Sequence, residues 1–160
     1  MGDAASFLAE CRARKLTLVT AESCTGGLIA ALLTEIPGAS DVLTHGFITY
    51  ADEAKIRMLG VDAALIAQYG AVSEQVAVAM AQGARKTAGA DIAIAVTGIA
   101  GPSGGSAAKP VGLVHFACYG PGERRVALER RFGDPGRGAI RLAAVAQALA
   151  LLTAAARDAP

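Results

Sequence analysis

The chain has 160 residues and a formal net charge of +1, with 53% hydrophobic residues and only 4% aromatic ones. That length suits one domain with a sizeable core, and dispersed basic residues, apart from the pairs Arg124-Arg125 and Arg130-Arg131, give no nucleic-acid footprint. Cys11, Cys24 and Cys118 have no C-x-x-C spacing, which argues against a disulfide framework or a zinc site and fits reduced thiols.

The first residues mix Asp3, Glu10, Arg12 and Arg14 with small apolar side chains and lack the basic start and apolar run of a secretory signal, so a cytoplasmic location is expected. Apolar periodicity predicts a helix over residues 4–14 and a strand over 16–20. The strand runs into the polar turn Ala21-Glu22-Ser23-Cys24-Thr25-Gly26-Gly27 and a helix reaching about Ile36, stopped by Pro37-Gly38. Residues 42–50 read as a β segment, with Gly46 as a bulge or close-approach point. A short helix follows over 52–59. Ser73 caps a further helix on which Val76, Met80, Ala84 and Ala88 recur at helical spacing.

The segment 91–96, apolar throughout after Asp91 and bounded by Gly89 and Gly98, has the pattern of a central strand covered on both faces. The glycine-rich stretch 98–112 is too polar for regular structure, and a loop that long in a compact domain is usually functional. Two β segments, 111–119 and 124–132, flank Gly120-Pro121-Gly122 as a hairpin, and a last helix begins near Gly136 or Arg137. The apolar stretch 142–156 is interrupted by Gln147 and Thr153 and falls short of the roughly 20 residues a membrane span needs. The expectation is one α/β domain over 1–160, three-layer α/β/α, with a mixed, mostly parallel sheet and a C-terminal hairpin followed by a helix. In such sheets ligands bind beyond the carboxyl ends of the strands, where the Ser23 turn and the loop after Val96 would meet.

The Ser23 turn offers hydroxyls and backbone amides at a helix start, a setting for phosphate, carboxylate or an oxyanion, and equally for a plain helix cap. It has neither G-x-G-x-x-G nor P-loop spacing. A serine nucleophile needs a base. His45 and His115 alternate with apolar neighbours in strands and read as structural, which leaves a lysine base with a lowered pKa as the other route. Lys55 follows Tyr50 by five residues, and Ser40 lies just after Pro37-Gly38. Asp41, Asp52 and Glu53 read as capping or solvated carboxylates, and no H-E-x-x-H or cysteine cluster suggests a metal or other cofactor.

Several blocks occur together in order: Ala21 through Gly27, Pro37-Gly38-Ala39-Ser40, Thr49-Tyr50 with Glu53-Ala54-Lys55 and Leu59-Gly60-Val61, Gly70-Ala71-Val72-Ser73, and Thr97 through Pro102 with Lys109-Pro110-Val111-Gly112. Together they resemble the CinA C-terminal family across nearly the whole chain. The resemblance implies a nicotinamide-nucleotide amidohydrolase, which converts nicotinamide mononucleotide and water to nicotinate mononucleotide and ammonia in pyridine-nucleotide recycling. It further implies a catalytic Ser-Lys pair assisted by a tyrosine, falling on Ser40, Lys55 and Tyr50. Ser23, Thr97 and Arg137 match further site positions; Thr25, Gly26 and Gly101, on the same turn and glycine-rich loop, complete the expected substrate-binding set, and neither metal nor cofactor is expected. Asp134-Pro135-Gly136-Arg137 departs from the family's usual Gly-Asp-Arg, so Arg141 competes with Arg137 for a phosphate contact. Ser23, on a turn like a nucleophile elbow, competes with Ser40 as nucleophile. The expected partner is the small-molecule substrate, without nucleic acid or membrane. The apolar C-terminal helix suggests a homodimer, and a non-catalytic nucleotide-binding or regulatory module is the alternative function.

Overall fold

Strand residues alternate between two faces, and here the two faces carry side chains of different size. The computed structural model describes residues 2–157. Its elements run α1 (Gly2–Ala13), β1 (Leu18–Glu22), α2 (Leu28–Thr34), a short 3-10 turn (Ala39–Asp41), β2 (Leu43–Ile48), α3 (Asp52–Leu59), α4 (Ala63–Tyr69), α5 (Glu74–Ala88), β3 (Ile92–Gly98), β4 (Leu113–Tyr119), β5 (Arg125–Arg131) and α6 (Arg137–Arg157).

The sheet has the order β2-β1-β3-β4-β5. β2, β1 and β3 are parallel, while β4 runs antiparallel to both β3 and β5. On one face Leu18, Ile92, Ile94, Val96 and Phe116 pack with Phe7 and Leu8 of α1, Ile29 and Leu33 of α2, and Ile140 and Leu152 of α6. On the other, Val19, Ala21, Ala93, Ala95 and Ala117 meet Val76, Ala77, Met80, Ala81 and Ala84 of α5. Small residues on both sides of this second interface let α5 lie close to the sheet. Gly83 extends the same logic to α3, because a Cβ there would stand 1.9 Å from the Leu59 carbonyl oxygen. Helices thus cover both faces of a mixed sheet, the three-layer arrangement expected from the alternating elements.

Three local details differ from the sequence reading. β1 starts two residues later than predicted, because Lys15 takes a left-handed conformation (φ 55) and Leu16 donates its amide to Cys11 O, which ends α1. α4 was not anticipated; it is seven residues long, holds no fully buried side chain, and is started by Asp62, whose carboxylate accepts the Ala64 amide. α6 extends over 21 residues, long and apolar enough by composition to cross a bilayer. Instead Ile140, Ala144, Ala148, Leu152 and Ala156, spaced at four residues, lie in the core under the sheet.

Candidate active site

The parallel register aligns the carboxyl ends of β1, β2 and β3, with Glu22 beside both Ile48 and Val96. Three chain segments leave the sheet there: the Ser23 turn after β1, Thr49-Tyr50 after β2 and the 98–112 loop after β3. Between them lies a cleft of about 260 Å³ lined among others by Ser23, Cys24, Tyr50, Asp52, Lys55, Ala71, Val72, Thr97, Gly101 and Arg137.

Lys55 is the centre of its electrostatics. It projects from the first turn of α3 with 1% of its surface exposed, and its Nζ donates to Thr49 O at 3.0 Å. Asp52 Oδ1, one turn earlier, is 3.5 Å away. Burial pushes the Lys55 pKa below its ordinary value and Asp52 pulls it partly back. An amine in this position sheds its proton more readily than a solvated one.

Ser23 is also buried, and its amide donates to Val96 O at 2.9 Å, which fixes the turn against β3. Among the described residues its hydroxyl is engaged in no hydrogen bond, so it is available to a ligand. Cys24 beside it is no competing nucleophile, because burial pushes its thiol up to about 11. Neither histidine lines the cleft. His45 stacks on Phe47 on the outer strand, and His115 faces Glu129 with Nε2 3.8 Å from Oε2.

The residues that precede α2 are committed to structure. The buried Glu22 carboxylate accepts the amides of Gly27 and Ile29 on Oε2, at 3.0 and 3.1 Å, and that of Ala30 on Oε1 at 3.0 Å. Those amides would otherwise be unpaired at the helix start. Arg141 donates from Nε to Cys24 O at 3.1 Å and from Nη2 to Thr25 O at 2.9 Å. Arg137 stands at the cleft mouth, where Nη1 donates to Gly101 O at 2.9 Å and Nη2 to the Tyr50 hydroxyl at 2.6 Å.

The sequence profile of the CinA C-terminal domain matches residues 3–156. The chain belongs to that family. A CinA-like protein of Synechococcus sp. (strain RCC307) is 52% identical over 150 residues, covering 93% of this chain and 36% of its own length. Another, from Anaeromyxobacter sp. (strain K), is 50% identical over 150 residues, with 94% and 36% covered. The chain therefore spans about a third of the length of these curated relatives. The crystal structure of the competence/damage inducible protein CihA from Agrobacterium tumefaciens superposes with a TM-score of 0.90 at 49% identity, over 96% of both chains. A CinA superfamily protein from Escherichia coli gives 0.89 at 37% identity, over 94% of this chain and 86% of that one.

Within this CinA fold the residues singled out from the sequence divide. Ser23, Tyr50, Lys55, Thr97, Gly101 and Arg137 converge on the cleft. Ser40 does not: it is exposed in the Ala39–Asp41 turn, at the amino end of β2, whereas Lys55 follows the carboxyl end. The six-residue strand between them is about 20 Å long. Of the two serines, Ser23 lines the cleft with Lys55 and Ser40 does not. Thr25 and Gly26 also stay outside the cleft, because Glu22 and Arg141 bind the turn's amides and carbonyls inward. Arg141 is spent on those carbonyls, and of the two arginines it is Arg137 that lines the cleft. The Tyr50 hydroxyl is held by Arg137, with no hydrogen bond to Lys55. Sequence reasoning missed Asp52, set aside as a cap or solvated carboxylate; its place three residues before Lys55 on a helix was the signal that the two would meet.

Proposed function

We propose that the chain is an amidohydrolase that removes ammonia from the carboxamide of nicotinamide mononucleotide, with Ser23 as nucleophile and Lys55 as base. The observation that carries this reading is a buried lysine amine, its pKa lowered, sharing a cleft with a buried serine that neither histidine reaches. Membership of the CinA C-terminal family supports the reaction class, since that family includes amidohydrolases.

In this mechanism Ser23 Oγ attacks the carboxamide carbon while neutral Lys55 Nζ takes the hydroxyl proton. The tetrahedral intermediate collapses with cleavage of the C–N bond, and the Lys55 ammonium returns the proton to the departing nitrogen, which leaves as ammonia. Water, deprotonated by the again neutral Lys55, then cleaves the acyl ester to give the carboxylate of nicotinate mononucleotide and free Ser23. Arg137 has five N–H donors in a planar fork and uses two on Gly101 and Tyr50, so the remainder suit the ribose phosphate at the cleft mouth. Tyr50, its oxygen already accepting from Arg137, keeps its own O–H for the substrate.

The test is to incubate the purified chain with nicotinamide mononucleotide and measure ammonia and nicotinate mononucleotide in parallel. Equal amounts of both are expected. Binding of the nucleotide with no ammonia released, even at high protein concentration, would replace this reading with that of a non-catalytic nucleotide-binding module.

A further inference from the structure

We propose that Lys109 is a positioning residue that builds the substrate-contacting wall of the cleft by strapping the glycine-rich loop 98–112 to the turn between α4 and α5. Its kinetic consequence rests on the amidohydrolase reading; its mechanical consequence does not.

Residues 102–108 are all exposed and supply no apolar side chain to the core, so hydrophobic burial cannot order them. The loop is instead tied at its two ends. At one end Arg137 Nη1 donates to Gly101 O. At the other, Lys109 Nζ donates to Tyr69 O at 2.5 Å and to Val72 O at 2.7 Å. Tyr69 is the last residue of α4, whose terminal carbonyls have no helical partner, and a cation is well placed there. The backbone of Lys109 is fixed in turn, since its amide donates to Ser106 Oγ at 3.1 Å and its carbonyl accepts the Ser106 amide at 2.8 Å.

The turn that Lys109 grips is itself part of the site. Ala71 and Val72 line the cleft, and Thr97 Oγ1 donates to Ala71 O at 2.8 Å from the opposite side. Gly70 makes the approach possible: its φ of +77° suits glycine, and a Cβ there would stand 2.9 Å from Lys109 Nζ. The loop residues Gly101, Ser103 and Gly104 on the same cleft lie between the two ties. Charge-assisted bonds from one ammonium to two carbonyls are the strongest contacts available to such a segment. Ser23 and Lys55 are held by other contacts, to Val96 and to Thr49. Loss of the strap therefore loosens binding and leaves the proton chemistry in place.

The experiment compares the wild type with K109M, which keeps the stem length without the charge, and K109R, which keeps two donors. With nicotinamide mononucleotide as substrate, K109M is expected to raise KM at least tenfold with kcat within threefold of wild type, and K109R to return KM to within threefold. Elastase should cut folded K109M within 102–108 at least tenfold faster than wild type. If the wild type releases no ammonia, the functional reading fails, while the elastase comparison still tests the strap. A folded K109M with wild-type KM and wild-type elastase resistance would overturn the proposal. So would a fall in kcat at unchanged KM, or a K109M chain unfolded at the assay temperature, which would make Lys109 a residue of global stability.

Discussion

The Lys55 ammonium, 1% exposed, lies 3.5 Å from the carboxylate of Asp52, which is itself more than half exposed. Burial lowers the lysine pKa and Asp52 raises it again, so the acid sets how far the amine is depressed. Activity that depends on neutral Lys55 appears as pH rises through that pKa. Asp52→Asn removes the charge that favours the ammonium, and the acid limb of the kcat/KM profile should move to lower pH. A pH-rate profile of D52N with an unmoved limb, or one displaced to higher pH, would show that Asp52 does not tune the base.

The same lysine should leave a mark on stability. Its folded pKa lies below the ordinary 10.5, so the unfolded chain binds more protons wherever the pH lies between the two values. Stability from this residue is fully present above 10.5 and is lost as pH falls through the folded pKa. Lys55→Met removes the titration, and urea unfolding across this range should give a wild-type curve that rises with pH relative to K55M. Parallel curves would mean that Lys55 titrates alike in both states.

Close packing of α5 makes a third, purely structural prediction. Alanine normally favours a helix over glycine by about 1 kcal/mol. At Gly83, however, the added Cβ would meet the Leu59 carbonyl at 1.9 Å, a backbone clash that neither helix can relieve without moving. Gly83→Ala should destabilise by about 2–3 kcal/mol. Gly138, inside α6 with nothing within 4 Å of its Cβ position, should gain up to about 1 kcal/mol on the same change. Urea midpoints of the two variants moving in the same direction would contradict this account of the α3–α5 interface.

The layers of the fold were legible because residues 92–96 of β3 are an unbroken apolar run and α5 repeats apolar, mostly small residues at helical spacing, patterns that burial on two faces and on one face impose. α4 was not legible, since a seven-residue helix with no buried side chain leaves no periodic signal. Cleft residues such as Lys55 and Tyr50 could be picked out by chemistry and by family resemblance, but which serine shares the cleft with Lys55 could not. Ser40 and Ser23 are both polar residues near glycine, and only the parallel register of β1 and β2 separates the two ends of the sheet. The tie of Arg141 to the Ser23 turn joins residues 117 positions apart, at Cys24, and 116 apart, at Thr25, beyond the reach of local pattern.

Ser23 is the proposed nucleophile, and the most direct test is the rate of ammonia release from nicotinamide mononucleotide by Ser23→Ala beside Ser40→Ala. Removal of the attacking hydroxyl should lower the rate by about 10³-fold or more with the fold intact, whereas Ser40, exposed at the far end of β2, should be replaceable with less than a twofold change. A folded Ser23→Ala that retains a rate close to wild type, or a dead Ser40→Ala, would contradict that role.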